Sequence, residues 1–241
     1  MYWDRSDLEI YERWLATPRG AYAFAQECRL IEKLTACWPR RGRTLLEIGC
    51  GPGMFLEFFH RAGFDVTGCD ASPVMVAASR HRLGECVECS VGNATHLPYD
   101  PDSFDYVTLL TVLEYLEDPA QALREAARVA RRGVIVGYVN AFSLYRLSAR
   151  KHSLLAKARW YTPWAMHRML REALGLAPVR EASVLPFPEC TWHDGPPLWG
   201  LGKMVLPLPV GAYCVCAADL TAEPPLTPLL SFAGAQPTKS F

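Results

Sequence analysis

The segment Leu45-Leu46-Glu47-Ile48-Gly49-Cys50-Gly51-Pro52-Gly53 combines an acid with three closely spaced glycines. Glycines let the backbone turn tightly and bring amide groups close to a ligand. Glu47 stands two residues before the first glycine, where a carboxylate would repel a phosphate. Position 54 is methionine, so the spacing is G-x-G-x-G and not the G-x-G-x-x-G of a dinucleotide site. Together these features favour a nucleoside ligand without a pyrophosphate. Asp70 follows at the end of the next apolar run, where a carboxylate can accept both hydroxyls of a ribose. Next comes Gly92-Asn93-Ala94, whose amide side chain can meet an adenine edge through its donor and acceptor together.

Other groups offer weaker chemistry. His96, His152, His167 and His193 are acid–base candidates near a pocket mouth, against the commoner reading of surface or satisfied histidines. Cys86 and Cys89 form C-x-x-C in a β-patterned run, but no second pair has suitable spacing, so no metal is expected. Cys214 and Cys216 alternate along a strand and are expected on one buried face. Tyr115, Trp160, Tyr161 and Trp192 are candidates for an acceptor pocket. Tyr11, Trp14 and Tyr22 are candidates for a lid, with Tyr22 the preferred one. From Arg124 to Arg171 eleven basic residues face a single acid, Glu125. The plain reading is a solvated helical face. The sharper one is an anionic acceptor near Arg146, Arg150 and Lys151.

These residues need elements to hold them. Short β-branched runs alternate with helical stretches, and no fixed-period repeat is present, which points to an α/β fold. Residues 7–37 read as helix, with Leu8, Tyr11 and Leu15, then Phe24, Cys28, Ile31 and Leu34 at three-to-four spacing. Thr17-Pro18-Arg19-Gly20 breaks that helix in two. Strands are expected at 44–48, 64–69, 86–91, 104–110 and 133–139, with helices between them at 54–62, 73–83 and 119–131. Ser72-Pro73 and Thr162-Pro163 read as helix starts, the second running to Leu174. Two later strands, 179–185 and 212–220, flank a proline-rich excursion; eleven of the 19 prolines fall from Pro178 to Pro237. The expected sheet is mostly parallel with one antiparallel strand, has helices on both faces, and binds ligands beyond the carboxyl ends of its strands.

Three motifs stand in order: LLEIGCGPG at 45–53, GCDAS at 68–72 and GNATHLPYDPDSFDYV at 92–107. Together they resemble the class I S-adenosylmethionine-dependent methyltransferases, in a type 11-like form, over roughly residues 40 to 140. The resemblance implies a Rossmann-like three-layer sandwich with a seven-stranded sheet. It divides the chain into a helical lid (1–40), a cofactor domain with a basic helical insertion near 140–175 (41–220) and an extended tail (221–241). Glu47 and the backbone of Gly49, Cys50, Gly51 and Gly53 would hold the methionine end of the cofactor, and Asp70 the ribose. Ala71, Met75, Asn93 and Ala94 would hold the adenine, with Ser72 also among the cofactor-binding residues. Leu110 and Thr111 would face the reacting centre, with Tyr22 closing from the lid and Tyr115, Arg146 and Tyr161 on the acceptor side. The family usually has aspartate where this chain has Asn93. The scattered cysteines do not suit arsenic methylation, which wants three placed thiolates.

Composition narrows the function further. Lys+Arg and Asp+Glu are both 25, so bulk electrostatic capture of nucleic acid is not the driver, and no DNA partner is expected. A chain 50% hydrophobic and 21% charged is not intrinsically disordered. The densest apolar region, Leu198 to Leu220, is broken by Lys203, Pro207, Pro209 and Gly211, so no membrane span is expected. Nine scattered cysteines, an odd number, and a start without a basic-then-apolar pattern favour a cytoplasmic protein. The expected function is in-line methyl transfer from S-adenosylmethionine to a small molecule, with an anionic acceptor as one reading, by a monomer or homodimer. An RNA-modifying methyltransferase and a non-catalytic cofactor-binding partner are the alternatives; Met54 and Glu47 count against a dehydrogenase. Alignment alone can supply ~7–11 kcal/mol of barrier reduction, so a general base is optional and none is assigned.

Overall fold

The computed structural model describes residues 3–84, 87–149, 153–193 and 203–222. Cys86, Arg150, Lys151, His152 and residues 223–241 lie outside them. The longer helices begin at short polar side chains that take up free backbone N–H groups. Asp4 caps α1 (Arg5–Leu15) by accepting from the Ser6 and Asp7 amides, and Asp7 reaches back to the Asp4 amide. Thr17 caps α2 (Pro18–Leu34), Ser72 α4 (Pro73–Leu83), Asp118 α5 (Pro119–Val129) and Thr162 α8 (Pro163–Leu174). Each of those four has proline in its first turn, where the missing N–H costs nothing. α3 (Met54–Arg61) starts at Gly53, while α6 (Tyr145–Ala149) and α7 (Ser153–Ala156) are short.

The strands are β1 (Thr44–Ile48), β2 (Asp65–Asp70), β3 (Glu88–Val91), β4 (Phe104–Leu110), β5 (Ala130–Val139), β6 (Val179–Val184) and β7 (Tyr213–Asp219). They form one seven-stranded sheet in the order β3-β2-β1-β4-β5-β7-β6. β7 runs antiparallel to β5 and β6; the other pairings are parallel. All seven residues of β4 are buried, as a central strand covered on both faces requires. Leu45, Tyr106 and Ile135 pack in a core with α2 and α3 residues such as Leu30 and Phe59. Leu46, Val107 and Val136 pack on the other face with Leu123 of α5 and Met166 of α8. Fully burying one such leucine contributes about 1.5–3 kcal/mol.

The expected helix to Arg131 ends at Val129, and β5 begins at Ala130 with no intervening loop. The buried Asp105 explains this: Arg132 reaches it at 3.1 Å and Arg131 at 3.8 Å, drawing that segment alongside β4. The strand order reverses around β1, which has β2 on one side and β4 on the other. Connections leaving β1 and β4 therefore diverge and open a crevice at the carboxyl edge of the sheet. No helix among the described residues is long and apolar enough to cross a membrane.

Candidate functional site

A cavity of about 270 Å³ opens in that crevice. Gly49 sits at φ 70° with its amide bonded to the Cys69 carbonyl, which also accepts from Cys50 at 3.1 Å. A Cβ at position 49 would fall inside the Val112 side chain, so the turn needs glycine on steric as well as conformational grounds. The loop then offers the Gly51 amide to Asp70 Oδ2 at 2.9 Å, and the Ser72 amide donates to Oδ1 at 2.8 Å. Each oxygen keeps a lone pair for a ligand. Burial raises the Asp70 pKa and these two amides oppose the rise.

Glu47, on β1, is 1% exposed and lines the cavity. Its Oε2 has no hydrogen-bond partner among the described residues. Burial first, and the nearby charge of Asp70 second, push its pKa well up. A buried carboxylate oxygen without a donor is costly, and a ligand ammonium would remove that cost.

Ala71, Ser72, Met75, Asn93 and Ala94 gather on the wall beyond Asp70. Asn93 differs from its expected use. Its Oδ1 accepts from both the Thr95 amide (3.0 Å) and the Thr95 hydroxyl (2.9 Å), so its acceptor is taken up by the local turn. Only the NH₂ group remains for a ligand.

Leu110 and Thr111 end β4 on the cavity wall. Thr111 is left-handed at φ 56°, with its amide bonded to the Gly137 carbonyl at 2.9 Å. A β-branched residue there stores strain on the order of 1–3 kcal/mol. Leu185, also on the wall, has φ 60°. The Tyr213 ring lies over Gly137, where a Cβ would overlap the phenol hydroxyl.

α1 roofs the cavity with Ile10, Tyr11 and Trp14, joined by Trp3. Trp3 stands edge-on to Tyr11 and Tyr115 (centroids 6.1 and 5.1 Å), and its carbonyl accepts from Ser72 Oγ at 2.6 Å. Lys157 to Asp7 (3.3 Å) and Arg82 to Glu12 (3.8 Å) hold α1 to its neighbours. Tyr22, expected in this role, is instead buried in the core: it lies in the second turn of α2, on the helix face that packs inward. Trp3 and Glu27 line the cavity and were not singled out by sequence.

Several expected residues lie off the wall. Gly53 starts α3 at φ 82°, packed against Ser79. Arg146 covers the Trp160 ring at 5.2 Å in a separate hollow. Tyr161 is buried and donates its hydroxyl to the Leu113 carbonyl at 3.0 Å, a structural bond. Tyr115 and Trp192 do reach the cavity. His96 and His193 are exposed and off the wall. His167 pairs with Glu181 at 2.9 Å, and with Cys216 the three have ligand atoms within 4.8 Å of one another. Both Glu181 oxygens are engaged, by His167 and by the Tyr138 hydroxyl. Cys214 and Cys216 are both buried in β7.

The charge on the wall is one-sided. Among the described residues, Glu27, Glu47 and Asp70 line the cavity and no lysine or arginine does. Several described basic residues between 124 and 171 are engaged elsewhere: Arg128 with Glu125 at 2.7 Å, Arg131 and Arg132 with Asp105, Lys157 with Asp7. Arg168 and Arg171 are exposed on α8.

A family model described as a methyltransferase domain matches residues 46–137. A ubiquinone biosynthesis O-methyltransferase of Aeromonas salmonicida is 36% identical over 105 residues, 41% of this chain and 44% of the relative. A malonyl-acyl-carrier-protein O-methyltransferase of Erwinia billingiae is 30% identical over 155 residues, 62% of this chain and 61% of the relative. The chain thus spans about half the length of these relatives. Among solved structures, a Thermotoga maritima protein described as an S-adenosylmethionine-dependent methyltransferase, possible histamine N-methyltransferase, superposes with TM-score 0.68. It is 25% identical, and the match covers 88% of this chain and 95% of that one. A magnesium protoporphyrin IX methyltransferase of Synechocystis PCC 6803 has TM-score 0.65 over 89% of this chain and 94% of that one; at 14% identity the likeness is of fold alone.

Proposed function

We propose, for a chain whose residues 46–137 belong to the methyltransferase-domain family and whose sheet is the class I one, that it binds S-adenosylmethionine and methylates a small molecule. The observation that carries this reading is the pairing of Glu47 Oε2, buried without a partner among the described residues, with Asp70, held by two amides and still able to accept. The donor set fits the cofactor. Glu47 would take its ammonium, Asp70 its ribose hydroxyls, and Met75, Ala71 and Ala94 the faces of its adenine. The Asn93 NH₂ would donate to a ring nitrogen. When bound, S-adenosylmethionine supplies an electrophilic methyl group on a sulfonium whose thioether leaves without a proton. The chain's part is alignment and exclusion of water, which Thr111 at the strand end and the α1 roof would provide.

The acceptor enters at the other end of the cavity. Among the described residues the wall carries acids and no lysine or arginine, which gives an anionic acceptor or RNA no support there; Arg150 and Lys151 lie outside the described residues. The relatives' names favour an oxygen acceptor.

Calorimetric titration with S-adenosylmethionine, S-adenosylhomocysteine and NAD tests the reading. S-adenosylhomocysteine should bind, and Asp70→Ala should weaken it about 100-fold, the equivalent of roughly 2.7 kcal/mol for two charge-assisted bonds. Tight NAD binding with no response to either sulfur ligand would overturn it.

A further inference from the structure

Past the cofactor groove the cavity runs on to a second end, walled by Tyr11, Trp14, Tyr145, Trp192 and Tyr213. Glu27 of α2 is the carboxylate of this end. It lines the same cavity as Tyr11, Tyr145 and Tyr213, and its charge raises the phenol pKa of all three. Tyr213 in turn packs over Gly137 beside Leu110, next to the end of β4. Glu27 therefore shares one cavity with Leu110 and Thr111 at the end of β4. No hydrogen bond or ion pair joins it to another described residue, and burial alone pushes its pKa up to about 7.

A half-buried carboxylate facing aromatic side chains, without a cation among the described residues, is a poor way to hold a fold. It is a good way to receive a hydrogen-bond donor. We propose that Glu27 is the proton-accepting residue of the transfer, and that the acceptor is an apolar small molecule presenting an N–H or O–H donor, not an anion. The inference rests on the cofactor reading above. The acceptor's lone pair forms the bond to the methyl carbon as the carbon–sulfur bond breaks, and that electron pair stays on sulfur. The acceptor's proton passes to the Glu27 carboxylate, which returns it to water between turnovers. A base titrating near neutrality is matched to that task. The surrounding rings suit a phenol by edge contacts and an ammonium by cation–π attraction, the ammonium giving its proton to Glu27 before the freed amine lone pair attacks.

Three probes with one phenyl body separate the cases: 4-ethylphenol, 2-phenylethylamine and phenylacetate. Each is titrated into the full chain saturated with S-adenosylhomocysteine, as wild type and as Glu27→Gln. At about pH 8 at least one donor probe should bind and phenylacetate should not. Glu27→Gln should weaken the donor about tenfold or more while S-adenosylhomocysteine affinity stays within about twofold. The tighter donor distinguishes an oxygen from a nitrogen acceptor. A second measurement needs no variant. Between about pH 5.5 and 8.5 both donor probes keep their own charge, so wild-type affinity should rise as Glu27 ionises, around pH 7. Tyr11, Cys28, Tyr145 and Tyr213 beside it and Glu47 on the same wall are shifted upward. Glu114, whose charge acts on Tyr115 and Tyr213, is pushed up to about 7 as well. All remain in Glu27→Gln, where the rise should vanish if it belongs to Glu27. Phenylacetate binding as tightly as the donors, an unchanged donor affinity in Glu27→Gln, or no donor binding beside bound S-adenosylhomocysteine would each overturn the inference. Failure of S-adenosylhomocysteine itself to bind would instead remove the reading beneath it.

Discussion

Buried carboxylates stand at both ends of the parallel strands, in opposite circumstances. At the entry of β4, Asp105 is 4% exposed and accepts from Arg43 at 3.3 Å, Arg132 at 3.1 Å and the Thr44 amide at 3.2 Å. At the exits, Glu47 and Asp70 face the cavity together with Glu27 from α2, and no arginine or lysine shares that wall among the described residues. Asp105 is satisfied by side chains and an amide at that entry, whereas at the exits Asp70 takes only two amides and Glu47 keeps an oxygen with no donor among the described residues. Internal satisfaction marks where the sheet is held together; its absence marks where a ligand is expected.

The sharpest way to break this contrast is Asp105→Ala. Removing a buried partner leaves two arginines about one-third exposed, and should cost about 3 kcal/mol of unfolding free energy by denaturant titration. S-adenosylhomocysteine affinity should hardly move. At the other end the sign should invert. The folded Glu27 pKa lies above its ordinary 4.5, at about 7, so its ionisation opposes folding. Glu27→Gln should therefore gain about 2 kcal/mol above pH 7, a gain that fades as pH falls through 7 towards 4.5. A loss of stability at high pH in this variant would erase the contrast. Thr111→Gly should relieve the left-handed strain and stabilise the fold by about 1 kcal/mol. Asn93→Asp should show the smallest effect. It keeps an oxygen for Thr95 but loses the NH₂ donor to the adenine ring nitrogen, weakening S-adenosylhomocysteine about threefold.

The half of the molecule around the cofactor groove was readable from sequence because its determinants are local. Parallel strands buried on both faces read as short apolar runs, and β1 and β4 have the bounds that pattern predicts. Glycine spacing and the strand-end position of Asp70 follow from backbone geometry within one βαβ unit, and the observed Gly51–Asp70 bond joins those two features. The acceptor half depends on which face of α1 and α2 meets the sheet. Tyr22 and Tyr11 have the same chemistry, and only packing sends one to the core and the other to the cavity. Arg146 and Tyr161 read as acceptor contacts because charge and aromaticity were counted without direction; a tryptophan and a carbonyl occupy them. Glu27 did leave a signal. It falls three residues after Phe24 and beside Cys28, on the apolar stripe of α2, where a carboxylate is out of place on a purely packing face. Asn93 shows a different limit, since the turn that takes up its oxygen needs Thr95 two residues on.

The tryptophans on the cavity wall give the protein a built-in optical reporter. Trp3 and Trp14 roof the cavity and Trp192 lines its far wall, whereas Trp38 stacks on Tyr106 in the core and Trp164 is 72% exposed. Filling either end changes the polarity around a wall indole but not around those two. Replacing Trp3 or Trp192 by phenylalanine, one at a time, turns intrinsic emission into a readout of which end is filled first.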